Sequence, residues 1–251
     1  MAINFDLTEA YKDILQPSAQ QAGVTLGEIA KLILAPIYYP TKTLNDRFGK
    51  WITRIENDVS KDNRIKAQPN IVIPTLQNLA LHQDETLLGE MFFNILRNSV
   101  DKTKQRFLSP AFPKILEQIS KDEAEILTLL KMYLSIDCIY YMRANENGIY
   151  EEEYIEISHH INKEFFAIYK NHLTLLGLLT GNFYQTAEIF FEIDGNLVLQ
   201  NSTQGREIFK NQQHENYKSV GKYFYKTEFN AFGKAFAEVC ISKRCEEFLK
   251  C

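Results

Sequence analysis

Proline and capping residues divide one long block of this chain into lengths that only helices can use. The block runs from Pro69 to Leu127, PNIVIPTLQNLALHQDETLLGEMFFNILRNSVDKTKQRFLSPAFPKILEQISKDEAEIL. Proline lacks an N–H and fixes φ, so it marks where an element starts or stops. Pro69 and Pro74 are expected to break the chain before a first helix. Asp84 is placed to cap a second, in which Leu87, Leu88, Met91, Phe92, Ile95 and Leu96 recur at helical spacing. Ser109-Pro110 and Pro113 open a third. Ser120 with Glu123 three residues on is a capping-box signature for a fourth, with Ala124, Ile126, Leu127, Leu129 and Leu130 as its apolar face.

Upstream, Leu7 to Leu15 reads as a short amphipathic helix that Pro17 interrupts, and a second helix is expected to run to about Leu34. The stretch VTLGEIAKLILAPIYY, Val24 to Tyr39, is the most apolar part of the N-terminal region, yet it contains Glu28, Lys31 and Pro36. It is also shorter than the roughly 20 apolar residues of a spanning helix. Packing in a bundle core is the reading preferred for it, since most globular helices carry such a face. The alternative is insertion into a membrane, with Leu32 and Ile33 facing lipid. A third helix, Thr41 to about Val59, sets Phe48, Trp51, Ile52 and Ile55 beside Arg47, Lys50 and Arg54. That pattern makes Trp51 a further candidate for a lipid surface, and it equally suits any solvated helix edge. The polar run SKDNRIKAQPN, Ser60 to Asn70, is the best linker candidate.

Beyond the block, Ser135 to Ile157 is rich in β-prone residues, and a helix is expected from about Asn162 to Leu176, ending near Gly177. Asp194-Gly195 is a two-residue hairpin turn between Ile189 to Ile193 and Leu197 to Leu199, because both turn residues tolerate positive φ. Lys222 to Thr227 is β-prone, and a closing helix is expected from about Glu228 to Leu249. Helices, then LTLLGLLTGN, then a hairpin is the order of a winged-helix unit. The expected fold is therefore α+β and predominantly helical. It comprises an N-terminal helical region and linker (1–68), a helical signature region (69–120) and a winged-helix-like C-terminal region with a β-hairpin (121–251).

Charge is unevenly spread. Residues 1–120 carry 14 basic and 13 acidic groups (+1), residues 121–199 carry 5 and 13 (-8), and residues 200–251 carry 9 and 6 (+3). A nucleic-acid reader concentrates Lys and Arg on one face. In the candidate recognition helix FFAIYKNHLTLLGLL only Lys170, Asn171 and His172 are suited to that task, and the helix lies in the acidic segment. Nucleic acid is accordingly the disfavoured partner. The four cysteines, Cys138, Cys240, Cys245 and Cys251, follow no secretory signal and fit free thiols in a reducing cytoplasm. Cys240 and Cys245 are five apart, which matches neither CxxC nor an i, i+4 metal pair.

The order of the block, with QPSA at Gln16 to Ala19 and LAP at Leu34 to Pro36, resembles the Abi-alpha family of bacterial proteins grouped under phage abortive infection. The positions that carry the resemblance are Pro69, Asn70, Ile71, Pro74, the run LLGEMFFNILRNSVD from Leu87 to Asp101, Pro110, Phe112 and Asp122-Glu123-Ala124. The family often has His before the proline that matches Pro110, where this chain has Ser109. The resemblance implies an antiphage role and brings no catalytic residue set with it.

Motifs for phosphate loops, nucleophile elbows, zinc proteases, calcium loops and dinucleotides are absent, so no cofactor and no catalysis are expected. His159-His160 is the most tempting pair, but adjacent side chains point apart on a helix or a strand. His82 with Asp84 and Glu85 is better read through the capping role of Asp84. Arg97, Asn98, Asp101, Lys102 and Arg106 form a polar, largely basic turn at the end of the LLGEMFFNILRNSVD helix, and they are the candidate interaction surface. The expected partner is another protein or a second copy of the chain, with a membrane surface as the alternative. The expected setting is the cytoplasm, with membrane association on activation as the alternative.

Overall fold

A computed structural model describes residues 42–82, 84–144, 150–157, 161–193, 196–200, 202 and 218–249. The helices expected before Thr41, Leu32 and Ile33 among them, lie outside the described residues, as do His159-His160, Asp194-Gly195 and Cys251. The chain is α+β and divides into two compact units: one runs to Ala124 and resumes at Ala235, and the other spans Glu125–Lys234.

The first unit is helical. Helix α1 (Lys42–Asp58), α2 (Pro69–Leu81) and α3 (Leu87–Ser99) are followed by the short α4 (Phe112–Glu117) and the start of α5 (Lys121–Tyr133). After the second unit the chain returns with the end of α7 (Ala231–Cys240) and with α8 (Lys243–Glu247). The expected capping box is present: Ser120 N–H donates to Glu123 Oε2 at 2.8 Å, and Glu123 N–H donates to Ser120 Oγ. Two expectations about caps and prolines need correction. Asp84 does not cap α3; Thr86 does, accepting from Gly89 N–H at 3.1 Å. Pro74 lies inside α2, not before it. The Asn70 carbonyl that loses its partner there belongs to an exposed residue, where water can replace the bond.

Arg47 holds Asp84 with two bonds (2.9 and 2.7 Å), and the Trp51 indole N–H donates to the same carboxylate at 3.0 Å. Asp84 thus ties α1 to the turn before α3. The Ser60 to Asn70 segment, expected as a linker, is stitched to the turn after α3. Ile65 N–H donates to the Val100 carbonyl (2.9 Å), and Lys102 N–H to Asn63 (2.8 Å). Ala67 in this segment is buried. The core of this unit is built on Trp51, Ile71, Leu76, Met91, Phe92, Phe93, Phe112 and Phe236, all at most 2% exposed.

The second unit is an antiparallel sheet of five strands, β1 (Ile136–Ala144), β2 (Tyr150–Ile157), β3 (Leu179–Ile193), β4 (Asn196–Leu199) and β5 (Lys218–Phe229), in the order β2-β1-β5-β3-β4. Helix α6 (Lys163–Leu175) lies between β2 and β3 in the chain. The expected hairpin is the β3–β4 pair, with Ile193 opposite Asn196. It forms one edge of a broad sheet, where a winged helix would carry a two-stranded wing. The closing helix expected from Glu228 begins later, since β5 continues to Phe229, and it is broken at Ile241-Ser242.

Period-2 alternation along β1 separates the two faces of the sheet. Ile136, Cys138 and Tyr140 are buried, while Asp137 is exposed and Ile139 and Tyr141 are half-buried. On the inner face Tyr140 stacks on Tyr223 (5.4 Å between centroids) and packs on Tyr154 at the same distance. These are its cross-strand partners in the register. Such pairs each contribute about 0.5–1.5 kcal/mol beyond burial.

Candidate functional site

Helix α6 is fixed at both ends by its own sequence. Asn162 caps it by accepting from Glu164 N–H at 3.1 Å. Gly177 ends it at φ +75°, with Leu178 N–H donating to the Leu173 carbonyl and Gly177 N–H to that of Thr174. This Schellman termination needs a residue that adopts a left-handed backbone without strain. Asn230 then locks the turn, donating to the Gly177 carbonyl at 2.8 Å while accepting from Gly233 N–H, also at 2.8 Å.

Two interleaved stripes run along this helix. The inner stripe, Phe166, Lys170 and Leu173, is buried. Phe166 meets Tyr154 edge to face at 5.1 Å. Lys170, 6% exposed, donates from Nζ to the Tyr154 hydroxyl at 2.7 Å and sits 4.7 Å over the Tyr225 ring. The hydroxyl and the ring faces compensate its desolvation in part. The outer stripe is apolar and open: Phe165 is 45% exposed, Ile168 61% and Leu175 85%. Sequence reasoning treated Lys170 as a candidate DNA contact and missed the outer stripe. The missing signal was the spacing Phe165, Ile168, Leu175 set against Phe166, Lys170, Leu173, which gives two faces to one helix.

The outer face of the sheet bears a groove of about 500 Å³ lined by Asp137, Cys138, Ile139, Glu156, Phe224, Tyr225 and Lys226. Its ion pairs run along and across strands, Lys226 with Glu228 at 2.7 Å and Lys222 with Glu188 at 3.6 Å. The Lys226 ammonium is raised above 10.5, first by its hydrogen bond to Glu228. Exposed carboxylates at Asp137, Glu153, Glu156 and Glu188 outnumber these two lysines on a face that includes the exposed Phe224.

The signature helix α3 carries three polar side chains at spacing four, Glu90, Asn94 and Asn98, all buried. The two asparagines find their partners at the end of α7, and Glu90 finds its own on α1. Asn98 Nδ2 donates to the Val239 carbonyl at 2.7 Å, and Asn94 Nδ2 to that of Cys240 at 2.9 Å. Glu90 accepts two bonds from Arg54 (2.9 and 3.0 Å), and the Arg244 guanidinium lies 3.8 Å away. Arg54 also stacks on Phe93 at 3.7 Å. This row terminates α7 and holds α8, which is scaffold chemistry. The signal was legible as hydrophilic residues spaced i, i+4, i+8 in an otherwise apolar helix.

Among the expected surface residues, Asn98 is buried in that row and Arg97 pairs with Asp58 at 3.5 Å. Asp101 is half-buried and accepts from the N–H and hydroxyl of Thr103. Lys102 and Arg106 are exposed, with the Arg106 guanidinium 4.5 Å over Phe107. Trp51, the candidate for a lipid surface, is 2% exposed, and its indole N–H is satisfied by Asp84. His82 stacks on Phe92 at 5.1 Å, and the Asp84 carboxylate beside it is taken by Arg47 and Trp51.

Cys138, Cys240 and Cys245 are buried. Burial pushes the Cys240 thiol well above 9.0. Cys245 is also raised, by burial first, against hydrogen bonds from Ser242 and Asn94 that lower it. Thiols held neutral in this way are poor nucleophiles and poor metal ligands. Among the described residues no group of three or more His, Cys, Asp or Glu is placed to hold a metal ion, and no helix is long and apolar enough to cross a membrane.

Neither the curated proteins nor the solved structures include a match to this sequence. The model of the family described as abortive infection alpha matches residues 43–240, well over half of the 251-residue chain, and the protein belongs to that family.

Proposed function

We propose that the protein acts in phage defence by abortive infection, through binding to protein and not through catalysis, and that α6 carries the docking surface. One observation supports this most: the helix turns Lys170 into the sheet and Phe165, Ile168 and Leu175 to solvent. Burying such side chains stabilises a complex by about 1.5–3 kcal/mol each when they start fully exposed, somewhat less here.

The alternatives lose on charge. A winged-helix regulator reads DNA with polar and basic side chains on its recognition helix. The corresponding cation here is 6% exposed, in a segment of net charge -8. An interfacial helix pairs its apolar stripe with a Lys- and Arg-rich face. The exposed charged side chain described on α6 is Glu164. The buried polar row of α3 is occupied by helix termination, which supports a scaffold role for the signature block.

The test is phage plating on bacteria expressing the chain with Ile168→Glu or Leu175→Glu, with folding checked by circular dichroism. Both positions are exposed, so the fold should persist while protection falls at least tenfold, and Ile168→Leu should retain it. Full protection in both Glu variants would overturn the proposal.

A further inference from the structure

We infer that the outer face of the sheet is a second docking surface, and that its occupant is an extended basic segment of another protein laid along β1. The face is turned away from α6, which packs on the inner side through Phe166 and Lys170. The inference therefore goes beyond α6 docking and stands or falls without it.

The register fixes what this face offers, because residues directly opposite one another point to the same side of a sheet. One row across the strands holds Asp137 and Lys226. The next holds Glu156, Ile139 and Phe224, and the third Glu153, Tyr141, Lys222 and Glu188. The groove of about 500 Å³ is lined by the first two rows, and its volume is in the range of ligand clefts. Ile139 and Tyr141 are half-buried and Phe224 is exposed, so the middle of the face is apolar and open.

Charge names the occupant. With Glu228 beside Lys226, the face carries, among the described residues, five carboxylates against two ammonium groups, an excess of three that no pairing among them removes. Farther along, the register sets Arg143 opposite Glu151 and Lys218 opposite Glu192, which leaves the excess unchanged. Nucleic acid and anionic lipid are repelled by such a face. A neutral apolar partner would desolvate the excess without compensation. A basic side chain gains an ion pair, strongest where a guanidinium meets a carboxylate through two bonds. The Phe224 ring has the Lys222 ammonium 5.9 Å from its centroid, so its face suits a cation as well as an apolar group.

Spacing names the form. Successive rows are two residues apart on β1, about 6.8 Å, and alternate side chains of an extended chain repeat at the same interval. A segment of the pattern basic-x-apolar-x-basic sets its cations over the rows of Asp137 and Glu153 and its apolar side chain over Ile139 and Phe224. A helix, rising about 5.4 Å per turn, falls out of step with these rows.

The test is fluorescence anisotropy, with the full chain titrated onto a labelled peptide of repeating Arg-Ser-Leu-Ser. A scrambled peptide of the same composition and a copy with Glu in place of Arg serve as comparisons. The patterned peptide should bind about tenfold more tightly than the scrambled one, and the Glu copy should not bind. Asp137→Asn combined with Glu156→Gln should weaken binding about tenfold. Phe224→Thr should weaken it with no change of charge, and Phe224→Tyr should retain it. Asp62→Asn combined with Glu117→Gln removes the same charge from exposed positions of the other unit and should have no effect. Circular dichroism checks the fold of each variant. Ile168→Glu should leave peptide binding intact, which separates this face from the α6 stripe. Equal affinity for patterned and scrambled peptides, equal loss in the Asp62 and Glu117 variant, or no binding would overturn the inference.

Discussion

Asn98 provides a measure of what the signature block contributes. Val239 and Cys240 are the last residues of α7, so their carbonyls lack intrahelical partners, and both residues are at most 1% exposed. Asn98→Ala removes the 2.7 Å bond and leaves the Val239 oxygen buried without its donor. Such a loss costs about 1–3 kcal/mol, and the small void left by the amide adds to it. Asn98→Asp is worse, because it sets a buried carboxylate against a carbonyl at the negative end of a helix, which should exceed about 3 kcal/mol. Asn94 has the same spacing and a lower cost: its Oδ1 is buried without a hydrogen-bond partner, so Asn94→Ala removes one orphan as it creates another. Urea unfolding followed by Trp51, the only tryptophan and 2% exposed, reports on this unit. A loss of 2 kcal/mol moves the midpoint by roughly 1 M. An Asn98→Ala midpoint within 0.2 M of the parent, or an Asp variant as stable as the Ala variant, would refute the assignment of Asn98 to the end of α7.

Two glycines separate steric from conformational cost. A Cβ on Gly233 would stand 1.9 Å from the Leu178 carbonyl oxygen and 2.8 Å from the Phe229 ring, whereas one on Gly177 meets nothing within 4 Å. Gly233→Ala should therefore cost about 3 kcal/mol and Gly177→Ala only the left-handed strain of about 1–2 kcal/mol, and equal melting temperatures would contradict this. The thiols predict a pH dependence. Cys240 and Cys245 titrate higher in the folded chain than the ordinary 9.0, so the unfolded chain loses its protons first. Their contribution is complete below pH 9.0 and is lost as pH rises from there toward the folded values. Stability measured from pH 8 to 10 should fall, less steeply with Cys240→Ala, and a rise would refute the burial assignment.

Local rules were legible where the residues that enforce them are neighbours in sequence. Ser120 and Glu123 closed their capping box, Gly177 ended α6, and the two runs expected as a hairpin paired with Ile193 opposite Asn196. The β-prone residues of Ser135 to Ile157 gave two strands. The failures arise where a distant partner decides. Asp84 looks like a cap until Arg47 and Trp51 claim its carboxylate from 37 and 33 residues away, which passes the cap to Thr86. Lys170 looks like a surface cation until Tyr154 is placed beneath it. Arg54 and Trp51 suggested a lipid-facing edge, and Glu90 and Asp84 draw both inward. The width of the sheet was illegible because β5 inserts between β1 and β3, a pairing no local pattern encodes.

The buried row of α3 also sets a schedule. Asn98 and Asn94 are separated from their acceptors by 141 and 146 positions. At about 5–20 residues per second, a ribosome needs roughly 7–28 s to go from one to the other. Throughout that interval the side-chain amides of Asn94 and Asn98 have only water to donate to, on a helix whose other buried positions are mostly apolar, while Glu90 already has Arg54. The first unit therefore cannot close by itself from the amino end, and its apolar helices stay open to chaperones while the sheet is being made. A chain interrupted before Val239 never acquires the acceptors at all, so the amount of folded protein in a cell follows translation that has run to α8, not translation that has merely begun.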